Sequence, residues 1–419
     1  MRVLLVLVLV LGCSGASTTS PISPPPPGGI APLAWSAEIV VANGDGFYGI
    51  ASRNGTLHIV YANGPSIYYR RSTDEGTTWS NPTLIGNGIM YLEEPLVIDS
   101  VGGTIYLTYF DNPINRTDWC CVRATADVFV RVSRDGGTTW DPATRLTTAQ
   151  GGYRQSLAVV GNTAHLAWMD FRTGKWDIYY SRSTDSGRTW MTERLVVTGT
   201  AGVGAERPQI ATIGNVIVIA FLDGRDGRPQ CYTYPQCPEV YEKRSLDGGV
   251  TWETDRRVTV SPAGIAGSRP DIAAIESTLV LVYDRGGDAV TQQVHVTRSV
   301  DKGITWSPPQ ALSGGAALSG HGTLLVGGAL LHVLWMQALG SGTEQKVWHR
   351  YSIDRGLTWS NTTQVSVTGD AGAPMGAATS SAVLPLWSNG NDQFVVRRGR
   401  NTAGAGPSAM ARSARPEKP

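Results

Sequence analysis

The chain has 419 residues, and 35 Lys+Arg against 34 Asp+Glu leave a formal charge of +1, which excludes the basic footprint of a nucleic-acid or polyanion binder. Its 50 glycines are about 12% of the chain, above the ordinary ~7%, while charged residues make up only 16%, so turns are abundant and solvated helical faces are scarce. That composition points to β structure, and at this length repeats must be sought before domains are counted.

Arg2 precedes an apolar run over residues 3–11, too short for the ~20 residues of a bilayer span and suited to the core of an export signal. Val10-Leu11-Gly12-Cys13 is similar to a bacterial lipobox, which implies a lipidated Cys13 at the mature N-terminus. Ser14-Gly15-Ala16 offers ordinary cleavage as the alternative. Residues 1–13 thus read as an export signal and 14–33, rich in Ser, Thr and Pro, as a tether. The expectation is an exported chain at the cell surface or in the periplasm, held to the membrane only through a lipid anchor, with a secreted form as the alternative.

From residue 72 onward one pattern, S-x-D-x-G-x-T-W, occurs six times: at 72–79, 133–140, 183–190, 245–252, 299–306 and 352–359. Its aspartates, Asp74, Asp135, Asp185, Asp247, Asp301 and Asp354, lie 50 to 62 residues apart, the span of a four-stranded blade with its loops. A carboxylate inside a tight turn can accept backbone N–H bonds, Gly can supply φ > 0, and the Trp can pack under the hairpin. Around the third repeat, residues 155–160, 163–168 and 177–181 read as strands A, B and C, with Trp190 opening strand D. No stretch keeps a helical period, so the expected fold is an all-β propeller over residues 34–400, with 401–419 read as a disordered tail.

The repeat resembles the Asp-box, or bacterial neuraminidase repeat, of the sialidase superfamily. That resemblance implies that the six aspartates are structural and that the boxes lie on the face away from the active site. Residues 34–41, Trp35-Ser36 among them, resemble a strand D without A, B and C, whereas 374–379, 382–387 and 393–397 supply A, B and C without a D. The two ends therefore join into a seventh blade, which pairs strand edges otherwise left open. Six blades with a trailing appendage is the alternative.

Candidate chemistry belongs at the start of strand A and the end of strand B. Aligning the units on strand A places Glu94, Arg154, Arg207, Arg269 and His321 at one position in successive blades, with Phe47 or Tyr48 in the first and Ala373 in the last. At the end of strand B stand Asn63, Asp111, Asp170, Asp223, Asp284 and Gln337. Three neighbouring guanidinium groups can clamp one carboxylate by bidentate bonds, as the sialidase arginine triad does for sialic acid. Asp170 or Asp223 is the candidate general acid, with Arg154, Arg207, Arg269, Glu94 and His321 as substrate-binding residues. The opposing reading pairs each such Arg with an Asp as a repeated scaffold bridge.

The sequence departs from the sialidase pattern in the first blade. Phe47-Tyr48-Gly49-Ile50 stands where that family carries an arginine, and Asn63-Gly64-Pro65-Ser66 lacks the carboxylate of the general acid. For the tyrosine nucleophile that the resemblance implies, Tyr153 and Tyr232 with Glu206 or Glu239 are candidates.

Setting Cys13 aside, four cysteines remain. Cys231 and Cys237 most simply close a loop as a disulfide; Cys120 and Cys121 form a vicinal bridge or stay reduced, and cross-pairing is the alternative. The long B-to-C segments 112–126 and 224–240 carry Trp119, Tyr232 and Tyr234, rings suited to stacking on sugars or to capping the channel. Asn54, Asn115 and Asn361 match the short N-glycosylation pattern. No transition-metal spacing and no cofactor motif is read. The functional expectation is a sialidase-like propeller that acts on or recognises glycans, an acidic sugar first, as an exo-acting glycoside hydrolase if an enzyme; the rival is a non-catalytic scaffold for a protein partner or polysaccharide.

Overall fold

The computed structural model describes residues 30–44, 48–53, 55–87, 97–111, 126–200, 204–226, 237–262, 265–286, 292–314, 318–338 and 344–401. Six of its seven sheets have four antiparallel strands in chain order, and the seventh is built from both ends of the chain. Blade 3 shows the pattern: A is Gly152–Val160, B is Thr163–Asp170, C is Asp177–Ser183 and D is Arg194–Val197. Strand D begins four residues beyond Trp190, later than the sequence pattern places it, because Met191 N–H is still committed to the Arg182 carbonyl at the box. The A strands touch their neighbours in an unbroken ring, each against the next and the last, Met375–Ala378, against the first, Tyr48–Arg53.

The closing blade comprises Met375–Ala378, Ala382–Ser388, Gln393–Val396 and, from the N-terminus, Ile39–Asn43. The expected closure is present, with strand D shifted a few residues toward Asn43. The displaced piece, Leu33–Trp35, pairs instead with Gly399–Asn401. Blade number is therefore seven.

The apolar core is a ring of layers rather than one centre. Val60, Ile67 and Tyr69 of blade 1 pack with Ile98, Ile105 and Leu107 of blade 2, and the same sharing joins each adjacent pair of blades. The B strands are buried most completely; every residue of Val216–Asp223 is buried. Consecutive β-branched and aromatic residues suit such a strand, which is covered on both faces.

Each Asp-box is a closed hydrogen-bonded turn. In the first, the Ser72 hydroxyl donates to Asp74 Oδ1 at 2.7 Å and receives Gly76 N–H at 2.8 Å, while Thr78 N–H and Oγ1 donate to the carboxylate at 2.9 and 2.6 Å. The other five repeat that network. The box also fastens blade to blade. Trp140 of blade 2 meets Tyr69 of blade 1 edge-on at 5.3 Å, and Trp252 of blade 4 meets Tyr180 of blade 3 at 5.0 Å. Glycine is required at box positions 137 and 249, where an added Cβ would fall 2.3 Å from those tyrosine hydroxyls.

Trp35 performs the same task without a box, meeting His349 of blade 6 edge-on at 5.3 Å. The N-terminal segment thus substitutes for the missing seventh hairpin.

Candidate functional site

Four of the residues expected at the mouth share an unusual backbone. Arg154, Arg207, Arg269 and His321 have φ of 49°, 54°, 47° and 57°, left-handed values that cost a non-glycine residue about 1 kcal/mol or more. In each case the A strand slips register against B at this point, between Tyr153 and Gln155, Glu206 and Gln209, Ser268 and Asp271, and Gly320 and Thr323. These are β-bulges, which re-aim one side chain out of the pleat. Four adjacent blades therefore present Arg, Arg, Arg and His from one strained position, and such strain marks positions where side-chain placement matters.

The four groups occupy one electrostatic environment. Burial, and then the charges of Arg269, Arg207 and Arg154, push the His321 imidazole down to about 4. It is therefore neutral at pH 7, beside a concentration of positive charge. The Arg154 guanidinium lies 5.3 Å from the Tyr153 ring centre. Tyr153 meets Phe110 edge-on at 4.5 Å and Trp176 at 6.1 Å, and Trp176 in turn meets Phe171 at 4.9 Å. Phe171 and Trp176, both partly exposed in the B-to-C turn of blade 3, set an aromatic surface beside the cationic cluster.

Asp170 and Asp223 lie at the ends of their B strands, fully buried. Each is engaged by the arginine two residues later. Arg172 Nε and Nη2 donate to Asp170 at 2.8 and 2.6 Å, and its backbone N–H adds a third bond at 3.0 Å. Arg225 repeats this on Asp223 with Nη2 at 2.6 Å and N–H at 2.7 Å. Both arginines stack on a C-strand tyrosine, Tyr179 at 4.2 Å and Tyr241 at 4.9 Å, and reach a second carboxylate, Glu193 or Asp255. Burial opposes the Arg172 charge, yet the Asp170 and Glu193 carboxylates outweigh it and raise its pKa. Each carboxylate could meet a ligand only after its arginine let go.

Blade 5 differs in one residue, with consequences. Gly286 stands where Arg172 and Arg225 stand, so buried Asp284 takes other donors: Arg269 Nη1 at 3.3 Å, Gln292 Nε2 at 3.3 Å and the backbone N–H of His321 at 3.0 Å. The pairing of an A-strand Arg with a B-strand Asp is thus seen at Arg269 and Asp284. Burial raises the Asp284 pKa, and Arg269 offsets it only in part. Asp284 ties the bulge of blade 6 to the cationic residue of blade 5.

The remaining candidates separate. Glu94, Cys13, Cys231, Tyr232, Trp119, Tyr234, Cys120 and Cys121 lie outside the described residues. Cys237, near the end of the B-to-C segment of blade 4, is buried. Glu239 accepts Thr259 Oγ1 at 2.5 Å and Ser261 N–H at 2.6 Å, which pins the D-to-A connection. The buried Tyr48 hydroxyl donates to the Ala373 carbonyl, linking blades 1 and 7. Sequence reasoning overlooked Arg172, Arg225, Phe171 and Trp176; the recurring D-x-R spacing of Asp170-Phe171-Arg172 and Asp223-Gly224-Arg225 was the available signal. Among the described residues, no group of three or more His, Cys, Asp or Glu is placed to hold a metal ion.

Comparison with known proteins agrees with this architecture. Residues 35–192 match the family described as BNR repeat-like domain. A sialidase from Micromonospora viridifaciens is 26% identical over 345 residues, covering 70% of this chain and 51% of the relative, so the chain spans about half of that protein's length. Among solved structures, an ulvan lyase described as a new polysaccharide lyase family superposes with a TM-score of 0.57 at 13% identity, over 88% of this chain and 94% of the other. A Trypanosoma rangeli sialidase in complex with 2,3-difluorosialic acid gives 0.50 at 13% identity, over 84% and 59%. At such identities the superpositions speak for the fold alone.

Proposed function

For an Asp-box propeller of the BNR-repeat type with sialidase-like relatives, we propose that this chain recognises carboxylated glycans through the cluster of Arg154, Arg207, Arg269 and His321. The observation that carries this reading is the shared bulge, which places three guanidinium groups and a neutral imidazole at equivalent points of adjacent blades. Guanidinium groups form bidentate bonds to carboxylates, and a neutral imidazole accepts or donates a hydrogen bond to a sugar hydroxyl without adding repulsion. Phe171 and Trp176 supply the apolar face on which a sugar ring stacks. Asp170 and Asp223 act as positioning groups for Arg172 and Arg225.

Hydrolysis of the exo-sialidase kind is the second reading, favoured by the sequence similarity to a sialidase. It requires Asp170 or Asp223 to leave its arginine, take up a proton from solvent and pass that proton to the leaving-group oxygen as the glycosidic bond breaks. Export, lipid attachment at Cys13, and a Cys231–Cys237 bridge that stiffens the rim of blade 4 belong to the same proposal and set the glycan contact at the cell surface. The test is titration with a panel of sialylated, uronate-containing and neutral saccharides, alongside turnover of fluorogenic glycosides. Saturable binding of carboxylated members, lost in Arg207→Ala with the fold intact, is expected; equal binding of neutral and carboxylated sugars would overturn the clamp.

A further inference from the structure

The six Asp-boxes share a turn but differ systematically at their two outward positions, the second and sixth. In blades 1 to 3 these are polar: Thr73 and Thr77, Arg134 and Thr138, Thr184 and Arg188. In blades 4 to 6 they are aliphatic: Leu246 and Val250, Val300 and Ile304, Ile353 and Leu357, each between 48% and 62% exposed. Isolated exposed aliphatics are ordinary, but six at equivalent points of three consecutive blades make an arc. Between the boxes of blades 5 and 6 runs a groove of about 470 Å³, lined by Val300, Thr305, Trp306, Pro308, Gly356 and Leu357. At box position four the arc carries the exposed cations Lys302 and Arg355, the latter paired with the exposed Glu276 at 3.0 Å, while the box carboxylates Asp301 and Asp354 are taken up inside their turns.

The N-terminal chain enters on this same face. The Tyr351 hydroxyl, at the last position before the blade 6 box, donates to the Ala31 carbonyl. In blade 1 the corresponding residue, Arg71, reaches the box of the next blade at Gly136. Ala31 thus stands where a seventh box would stand, one blade on from the box that carries Ile353 and Leu357. Cys13 precedes Ile30 by 17 residues, a reach of at most about 60 Å when extended.

We infer that the Asp-box face of blades 4 to 6 seats on an anionic lipid surface, which turns the cationic mouth away from the membrane toward soluble or neighbouring glycans. This rests on the proposed lipid attachment at Cys13. A partly exposed aliphatic patch flanked by Lys and Arg has the chemistry of an interfacial contact, in which apolar side chains enter the headgroup boundary and cations meet lipid phosphates. The anchor supplies a first attachment and the arc a second, and stable membrane association ordinarily takes two such signals.

The test uses the chain from Ser14 onward, which carries neither the apolar run of residues 3–11 nor the acylation site, floated with phosphatidylethanolamine/phosphatidylglycerol vesicles. Adding Val300→Asp, Ile304→Asp and Leu357→Asp should lower the vesicle-bound fraction about tenfold or more, while Thr73→Asp with Thr77→Asp in blade 1 should leave it unchanged. Hydrogen exchange on the vesicle-bound chain, which needs no substitution on this face, should slow at 300–304 and 353–357 and not in the 171–176 turn. Equal flotation of parent and triple variant overturns the inference. So does a dimer of the parent chain that the triple variant abolishes without changing flotation, since the arc then serves self-association. Membrane fractionation of wild type against Cys13→Ser reports the anchor separately.

Discussion

Arg172 closes on the Asp170 carboxylate two residues upstream with both side-chain and backbone donors, at 2.6 to 3.0 Å, and Arg225 repeats the arrangement on Asp223. A group that performs chemistry need occur once, whereas a brace recurs wherever the same loop must be held. The contrast with blade 5, where Gly286 leaves Asp284 to Arg269 and to the N–H of His321, identifies Asp284 as a carboxylate in contact with the cationic cluster.

Removing the brace should expose its cost. Arg172→Ala leaves Asp170 and Glu193 buried without their cation, and a loss of about 3 kcal/mol in urea unfolding is expected. Adding Asp170→Asn should recover part of it. If Arg172→Ala proves neutral, the pair is not a structural brace.

The imidazole at the mouth gives binding a pH signature. With its pKa pushed down to about 4 by burial and by Arg269, Arg207 and Arg154, His321 is uncharged at pH 7; a bound carboxylate favours its protonated form. Affinity for a carboxylated sugar should therefore rise as pH falls from 6 toward 4, until the ligand itself protonates. His321→Asn should flatten this slope, and Arg207→Ala should raise the His321 pKa in an NMR titration.

A second titrating group lies between blades 4 and 5, far from the bulges. Buried Glu242 receives Trp306 Nε1–H at 3.2 Å, and burial outweighs that bond to push its pKa from 4.5 up to about 7. Because the folded value is raised, the stabilisation is complete below pH 4.5 and is lost as pH rises through about 7. Glu242→Gln should remove that slope and stabilise the fold at pH 8 by an amount on the order of 3 kcal/mol, read from chemical denaturation at a series of pH values.

The boxes make the opposite prediction. Thr78 side-chain and backbone donors, joined by Ser72, hold the Asp74 carboxyl down to about 2 from 3.8. Its contribution is present above pH 3.8 and disappears as pH falls through about 2. Asp74→Ala should lower Tm while leaving glycan affinity unchanged, since the box faces away from the mouth; a large affinity loss with unchanged Tm would place the box in the binding site.

Much of the architecture was legible because the box is local. Ser72, Asp74, Gly76, Thr78 and Trp79 satisfy one another within eight residues, so their spacing reports the turn directly, and six copies report the blades. The orphan Trp35-Ser36 similarly announced the seventh blade, and the structure shows Trp35 packing on His349 as Trp140 packs on Tyr69. Alignment also brought Arg154, Arg207, Arg269 and His321 to one level.

What alignment could not decide was pairing. Whether an aspartate meets the arginine two residues on or the one at the start of strand A depends on a single side chain, present at Arg172 and Arg225 and absent at Gly286. Nor does sequence show that the cluster sits on left-handed bulges, since within a strand a non-glycine residue is held in that conformation by the pairing on either side of it. Turn chemistry is written in neighbouring residues; the direction of a charged side chain is settled by strands that meet only when the ring of blades closes.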